Sequence, residues 1–184
     1  MIDPAFTGMA CATLALIFLA SAWGKARHPR WFAGALREYR LLPEVALWPV
    51  ALAVPALEAA AALGLLAAPL RPLAAALALA LLVVFSAALG LNLARGRRDI
   101  DCGCWGPAAR PGALSGWLLA RNAALAALAA VLLMPPAGRD LVWVDFLTIG
   151  LGTVALLFVF GAIDRLIAQA PALADLRHRH EEIR

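Results

Sequence analysis

The chain has 184 residues, of which 64% are hydrophobic and only 15% charged, with a formal net charge of +4. This composition excludes a soluble globular domain, whose surface needs far more polar cover than the sequence supplies. Long runs rich in alanine and leucine favour helices, and the short alternating segments of a membrane β-barrel are missing from the sequence. We therefore predict an all-α integral membrane protein embedded in a lipid bilayer.

Five apolar runs are long enough to cross the hydrocarbon core, for which about 17–25 residues suffice. The predicted spans are 6–23, 45–68, 73–94, 114–134 and 141–163. Together with a polar loop at 95–113 and a charged tail at 164–184, they form one membrane domain covering 1–184. Residues 31–42 are predicted to form a short amphipathic helix at the interface. The first run has no basic residue ahead of it, which favours a retained helix over a cleaved signal peptide.

The basic residues are distributed unevenly between the two predicted membrane sides. Thirteen of the sixteen fall in connector 24–44, loop 95–113 or tail 164–184, two (Arg71 and Arg139) fall on the other side, and Arg121 lies within a span. Because positively charged loops stay in the cytoplasm, the N-terminus is predicted outside and the C-terminus inside. The same rule places loop 95–113 at the cytoplasmic face. We therefore expect a multi-pass protein of the inner membrane. The basic character marks orientation in the membrane, and a nucleic-acid partner is excluded.

Two of the three cysteines, Cys102 and Cys104, are separated by a single residue, Gly103, in the polar loop. A disulfide needs Cα atoms about 4.4–6.8 Å apart. Residues two apart meet that requirement only in a tight bend, which Gly103 permits. Such a small ring is strained, and strained or exposed disulfides are the labile, catalytic ones. The pair therefore predicts thiol–disulfide chemistry.

Two other interpretations of the pair stay open. Two thiolates suit a soft metal ion such as copper(I), zinc or mercury(II), although a closed zinc or iron–sulfur site needs four ligands and the loop offers no third. A resident metal site is therefore not predicted, whereas transient carriage of a soft ion is an alternative. The cysteines can also be incidental in a non-catalytic assembly partner. Cys11, in the first span, is predicted to be a small buried hydrophobe.

Glu58 and Arg121 are the informative charged residues inside predicted spans. Glu58 is near mid-membrane and Arg121 lies about two turns from the cytoplasmic side; such residues usually face the bundle and pair with one another. The long arginine side chain is expected to reach partway toward the glutamate, with Asn122 in the same polar network. The alternatives are a pair that fixes helix packing and a proton or quinone site that serves the cysteines. Lys25, at the inner end of the first span, is expected to extend to the headgroups.

These residues carry a resemblance to the methylamine utilisation MauE family, which is related to the DoxX-like membrane proteins. The matching features are Ser21-Ala-Trp-Gly-Lys25, Leu57-Glu58, Asp101-Cys-Gly-Cys-Trp-Gly106 and Arg121-Asn122. Trp105 stands where the family usually has phenylalanine. The resemblance covers most of residues 6–134 and implies a DoxX-like four-helix core followed by a C-terminal span.

The resemblance also implies a function. The MauE family is linked to maturation of the disulfide-rich small subunit of methylamine dehydrogenase, together with a thioredoxin-like partner. Cys102 and Cys104 would then exchange disulfides with that partner, supported by Gly103, Trp105, Glu58, Arg121, Asn122 and Lys25. A quinone near Glu58 and Arg121 is a candidate cofactor because of the charges inside the spans, not because of the resemblance. Maturation outside the cytoplasm conflicts with cysteines on the inside, unless electrons pass across the membrane or the role differs here.

Overall fold

The computed structural model describes residues 2–97, 116–135 and 137–182, with side chains described as far as residue 166. The helices in these residues are α1 (Pro4–Arg27), α2 (Pro29–Tyr39), α3 (Glu44–Leu66), α4 (Arg71–Ala94), α5 (Gly116–Val131) and α6 (Trp143–Glu182). A 3₁₀ turn, Ala68–Leu70, joins α3 to α4. The predicted all-α membrane bundle is confirmed, and the polar tail continues α6 as helix instead of starting a new element.

Local sequence sets the first helix boundaries. The Asp3 carboxylate caps α1 by accepting a hydrogen bond from the Ala5 N–H at 2.8 Å, and Pro4 takes the first helical position, where no N–H is needed. Pro29 opens α2 in the same way, two residues after α1 ends. Arg40 then ends α2 in the left-handed conformation at φ 50°. A helix therefore occupies most of the segment that was predicted to be interfacial.

The core lies where α1, α3 and α4 pack together. It is built mainly from alanine and leucine, with Leu14 of α1 and Leu65 of α3 fully buried. Gly64 lets α3 approach α4 closely, because a Cβ atom there would lie only 2.8 Å from the Ala74 Cβ. Small residues at helix contacts are the usual means by which membrane helices pack, since lipid supplies little hydrophobic drive between them.

The helices other than α2 alternate in direction, which gives the bundle two distinct ends. At the end we call the cysteine-loop end, α1 and α4 finish and α3 and α5 begin; the chain between α4 and α5 carries Cys102 and Cys104. At the opposite end, the Arg139 guanidinium donates to the Asp3 carboxylate at 3.0 Å and to the Asp145 carboxylate at 2.8 Å. This cluster ties the start of α1 to the start of α6.

Several helices have the length and apolar composition of membrane spans. Within the described residues these are 4–27, 44–66, 68–94 and 143–166, and α5 is a shorter apolar helix of 16 residues. Large apolar side chains face outward along α6, including Trp143 at 74% exposure and Phe158 at 75%. In water such a surface would aggregate, whereas in a bilayer it faces lipid. The chain is a multi-pass membrane protein.

Candidate functional site

A buried ion pair joins α1 to α3. The Lys25 ammonium donates to Glu58 Oε1 and to Ser21 Oγ, and the Ser21 hydroxyl donates to the same Glu58 oxygen at 3.1 Å. The lysine and glutamate side chains are only 4% and 2% exposed. Ser21 and Lys25 lie one helical turn apart on α1, so a single helix face presents both groups to the carboxylate.

Two aromatic rings complete the surroundings of the lysine. Its Nζ atom lies 5.4 Å from the centre of the Phe32 ring on α2 and 5.1 Å from that of Phe85 on α4. A cation at this distance is attracted by the ring quadrupole, most strongly where water is excluded. Lys25 thus contacts groups from α1, α2, α3 and α4, and it holds four helices around one charge.

Two expectations about these charges were wrong. Lys25 does not extend to the headgroups: it turns inward because a buried carboxylate is available one helix away. Arg121 does not pair with Glu58; it donates to Asp164 on α6 and, at 3.4 Å, to the Asn122 side-chain oxygen. Its side chain is 8% exposed and lies over the Phe160 ring of α6 at 5.3 Å. Arg121 therefore joins α5 to α6.

A cavity of about 390 Å³ lies between these two ion pairs, near the cysteine-loop end. Its polar wall consists of Lys25, Tyr39, Arg121 and Asn122. The remaining wall is apolar: Phe32, Ala35, Leu36, Leu41, Leu42, Val50, Val54, Val84, Phe85, Ala88, Leu89 and Leu118. The cavity brings Lys25, Arg121 and Asn122, three of the residues singled out in the sequence, onto one surface, with α2 as one side.

The remaining predicted site residues have different outcomes. Cys102, Gly103, Cys104 and Trp105 lie outside the described residues. Cys11 of α1 is a free thiol that lies in the hydrophobic core of the bundle and is 3% exposed, as predicted for a small buried hydrophobe. In the described parts of the chain, no three histidine, cysteine or acidic side chains come together as a metal site.

Sequence reasoning missed two members of this network. Ser21 was noted only as part of the resemblance, although its position one turn before Lys25 indicates a shared partner. Asp164 was assigned to the charged tail because the apolar run stops at the preceding residue, yet α6 continues and carries it to Arg121. A helical reading of the tail would have identified Asp164 as a candidate partner for an intramembrane arginine.

Comparison with known proteins places the chain in a family. A family model described as methylamine utilisation protein MauE matches residues 4–135, which is most of the chain. The chain belongs to the MauE family. The match includes α1 to α5, the Cys-Gly-Cys segment and the cavity. No solved structure matches the chain.

Four MauE relatives support the assignment at different coverage. The chain is 48% identical to methylamine utilization protein MauE of Paracoccus denitrificans over 63% of this chain and 62% of that protein. It is 38% identical to that of Methylorubrum extorquens over 87% of each chain, and 39% identical to that of Paracoccus versutus over 90% of this chain and 91% of the relative. The chain spans less than two thirds of two of these relatives: 62% of the Paracoccus denitrificans protein and 54% of the MauE protein of Methylophilus methylotrophus.

Proposed function

We propose that this MauE family member is a thiol–disulfide redox protein of the inner membrane, acting in methylamine utilisation. Cys102 and Cys104 would exchange disulfides with a thioredoxin-fold partner. The observation that carries the proposal is the Cys-Gly-Cys sequence within the segment that matches the family. A substrate consistent with the family is the disulfide-rich small subunit of methylamine dehydrogenase, reached through that partner.

The proposed chemistry conserves electrons and disulfides. One thiolate of the Cys102–Cys104 pair attacks a disulfide sulfur of the partner, which forms a mixed disulfide and releases one partner thiolate. The second cysteine then attacks the mixed disulfide and releases the other partner thiol. The partner gains two electrons and this chain becomes the disulfide; the reverse sequence oxidises the partner. Gly103 supplies the backbone freedom that a bend between the two sulfurs needs.

The described residues support this chemistry as a scaffold. The Lys25–Glu58 pair fixes α1 against α3, and the Arg121–Asp164 pair fixes the start of α5 against α6. The end of α1 that carries Lys25 and the start of α5 lie at the cysteine-loop end of the bundle, where the chain leaves α4 for the cysteine segment. We assign all four side chains a positioning role, since a neighbouring thiol exchanges reproducibly only if its attachment points are held in place.

The sidedness of the proposal follows from charge. With thirteen of sixteen basic residues assigned to one side, the N-terminus lies outside and the cysteines lie on the cytoplasmic face. Maturation of a protein outside the cytoplasm then requires electron transfer across the bilayer. Labelling of an introduced N-terminal tag and of Cys104 with a membrane-impermeant maleimide, from each side in turn, tests this orientation.

Trapping of mixed disulfides tests the function. Cys102→Ser and Cys104→Ser are expressed separately in cells growing on methylamine, and complexes are identified by non-reducing electrophoresis and mass spectrometry. Loss of the resolving cysteine should accumulate a complex with a thioredoxin-fold protein, and loss of the attacking cysteine should abolish it. Cys11→Ser is the matched control and should behave as wild type, because that thiol is buried.

The outcome that contradicts the proposal is equally specific. If the double variant Cys102→Ser/Cys104→Ser leaves both the redox state of the partner and growth on methylamine unchanged, the cysteines are incidental. If instead the wild-type protein binds copper(I) stoichiometrically through both cysteines and forms no mixed disulfide, the metal-carrier alternative replaces the redox one.

A further inference from the structure

We propose that the cavity between α2, α3, α4 and α5 binds the head group of a lipid-soluble quinone. The role of the quinone as electron acceptor for the cysteine pair rests on the proposed function, whereas its binding in the cavity is argued from the described residues alone. The argument depends on the size and opening of the cavity, on the charge state of its polar wall and on its aromatic side chains.

The cavity has the size and surroundings of a small-molecule site. Its volume of about 390 Å³ lies in the range of ligand pockets, roughly 300–1,000 Å³, and its wall is mainly apolar with a few convergent polar groups. Three of its lining residues are also exposed at the protein surface: Val84 of α4, at 61%, and Leu41 and Leu42 after α2, each at 37%. Because Val84 belongs to an apolar spanning helix, the cavity opens toward lipid, and its ligand arrives from the bilayer.

The polar wall favours a neutral ligand that accepts hydrogen bonds. Lysine and arginine carry only N–H donors, and asparagine and tyrosine each add at least one. The two cations are already neutralised, Lys25 by Glu58 and Arg121 by Asp164. An anionic head group would therefore enter a low-dielectric site without net positive charge to compensate it. A carbonyl oxygen has no such cost, and a quinone presents two of them on opposite sides of a ring.

The aromatic side chains favour a flat ligand. Phe32 and Phe85 line the cavity, each with its ring within about 5.5 Å of the Lys25 ammonium group, and Tyr39 adds a third ring. Offset or edge-to-face contacts between such rings and a planar ring add stabilisation beyond the area that they bury. An acyl chain gains no comparable orientation-dependent contact. A flat ring with carbonyl groups and an apolar tail fits all three observations.

Quinone chemistry balances that of the proposed dithiol. Oxidation of two thiols to a disulfide releases two electrons and two protons. Reduction of a quinone takes up both electrons and both protons and yields the quinol, which returns to the bilayer. The cavity lies at the end of the bundle from which the chain carrying Cys102 and Cys104 leaves α4. The quinone would thus be the membrane-side oxidant for this pair.

Binding is tested with the full-length Cys102→Ser/Cys104→Ser variant in phosphatidylcholine nanodiscs, so that thiol chemistry cannot contribute. A photoreactive azido-benzoquinone with a short tail is crosslinked, and labelled peptides are mapped by mass spectrometry. Label should fall in α2 and in the second half of α4, and unlabelled decyl-benzoquinone should compete. Ala88→Phe places a ring in the cavity and should weaken binding at least tenfold, whereas the neighbouring, outward-facing Ala87→Phe should leave it unchanged.

A second variant separates recognition from folding. Asn122→Leu keeps the side-chain volume but removes the amide, and should weaken binding about three- to tenfold with little loss of thermal stability. Equal labelling of Ala88→Phe and Ala87→Phe would overturn the proposal. So would competition by decanol or by phosphatidylglycerol at the concentration at which the unlabelled quinone competes, because the site would then accept any apolar chain or lipid. Failure of thiol trapping, by contrast, refutes the proposed function and leaves quinone binding standing.

Discussion

Removal of the positive partner from the buried Lys25–Glu58 pair should cost much of the stability of the bundle. Lys25→Met keeps the length of the apolar stem but leaves the Glu58 carboxylate 2% exposed, with the Ser21 hydroxyl as its remaining donor at 3.1 Å. Breaking a buried ion pair costs about 3–5 kcal/mol, because the surviving charge stays uncompensated. Since Ser21 still donates one hydrogen bond, we expect the lower end, about 3 kcal/mol. The double variant Lys25→Met/Glu58→Met should return to within about 1 kcal/mol of wild type.

The assay is equilibrium unfolding in mixed micelles of mild detergent and SDS, followed by circular dichroism, with all variants in one detergent system. The control is the exposed pair between Arg37 and Glu44, which also joins a basic side chain to a glutamate but whose side chains are 65% and 74% exposed. Arg37→Met should change the unfolding free energy by less than about 1 kcal/mol, as surface pairs do. If Lys25→Met costs no more than Arg37→Met, or if the double variant is no better than the single one, the argument from burial is refuted.

Three further predictions concern other contacts of the bundle. Gly64→Val should lower stability by about 1–3 kcal/mol through a clash between α3 and α4. Gly34→Ala on α2, with nothing within 4 Å of the added Cβ, should be neutral or stabilising. Thermal unfolding of both variants checks this difference. Asp164→Asn should release α6 from Arg121, which should appear as faster proteolysis or hydrogen exchange in α6 while α1 to α3 are unchanged. Equal protection of α6 in the variant and the wild type would contradict this prediction. Hydrogen bonds from the Arg139 guanidinium hold the pKa of Asp3 below its usual 3.8, so the contribution of Asp3 to stability is complete above pH 3.8 and is lost as the pH falls through the lower pKa of the folded state. Asp3→Asn should therefore flatten the loss of stability at acid pH in a pH series of melting temperatures. Parallel curves for the variant and the wild type would refute the assignment.

The spanning helices could be predicted because the hydropathy of a segment depends only on its own residues and not on tertiary contacts. An apolar run must satisfy its backbone hydrogen bonds within the bilayer, and a helix is the simplest way to do so. Hence the run 73–94 corresponds closely to α4, Arg71–Ala94, and the run 45–68 to α3, Glu44–Leu66. At the C-terminal end the same reasoning stopped too early. Hydropathy falls at residue 164, whereas the helix continues through polar residues that are good helix formers.

The partners of the buried charges could not be predicted in the same way. Depth in the membrane correctly identified Glu58 and Arg121 as residues that need partners, but many arrangements satisfy a depth rule. The choice depends on how each helix is rotated about its axis, which is set by close contacts such as the one at Gly64. In this rotation Lys25 faces Glu58, and Arg121 faces α6. The cavity was likewise beyond sequence reasoning, because its wall combines side chains from five helices.

A redox titration of the purified protein tests the central claim most directly. The Cys11→Ser variant is equilibrated in thiol–disulfide buffers of graded potential, and the thiols of Cys102 and Cys104 are counted by alkylation and mass spectrometry. We predict a single two-electron transition between about −270 and −120 mV, the range of proteins that exchange disulfides. Two thiols that stay reduced at every potential, or a disulfide that resists reduction below about −300 mV, would contradict a catalytic pair.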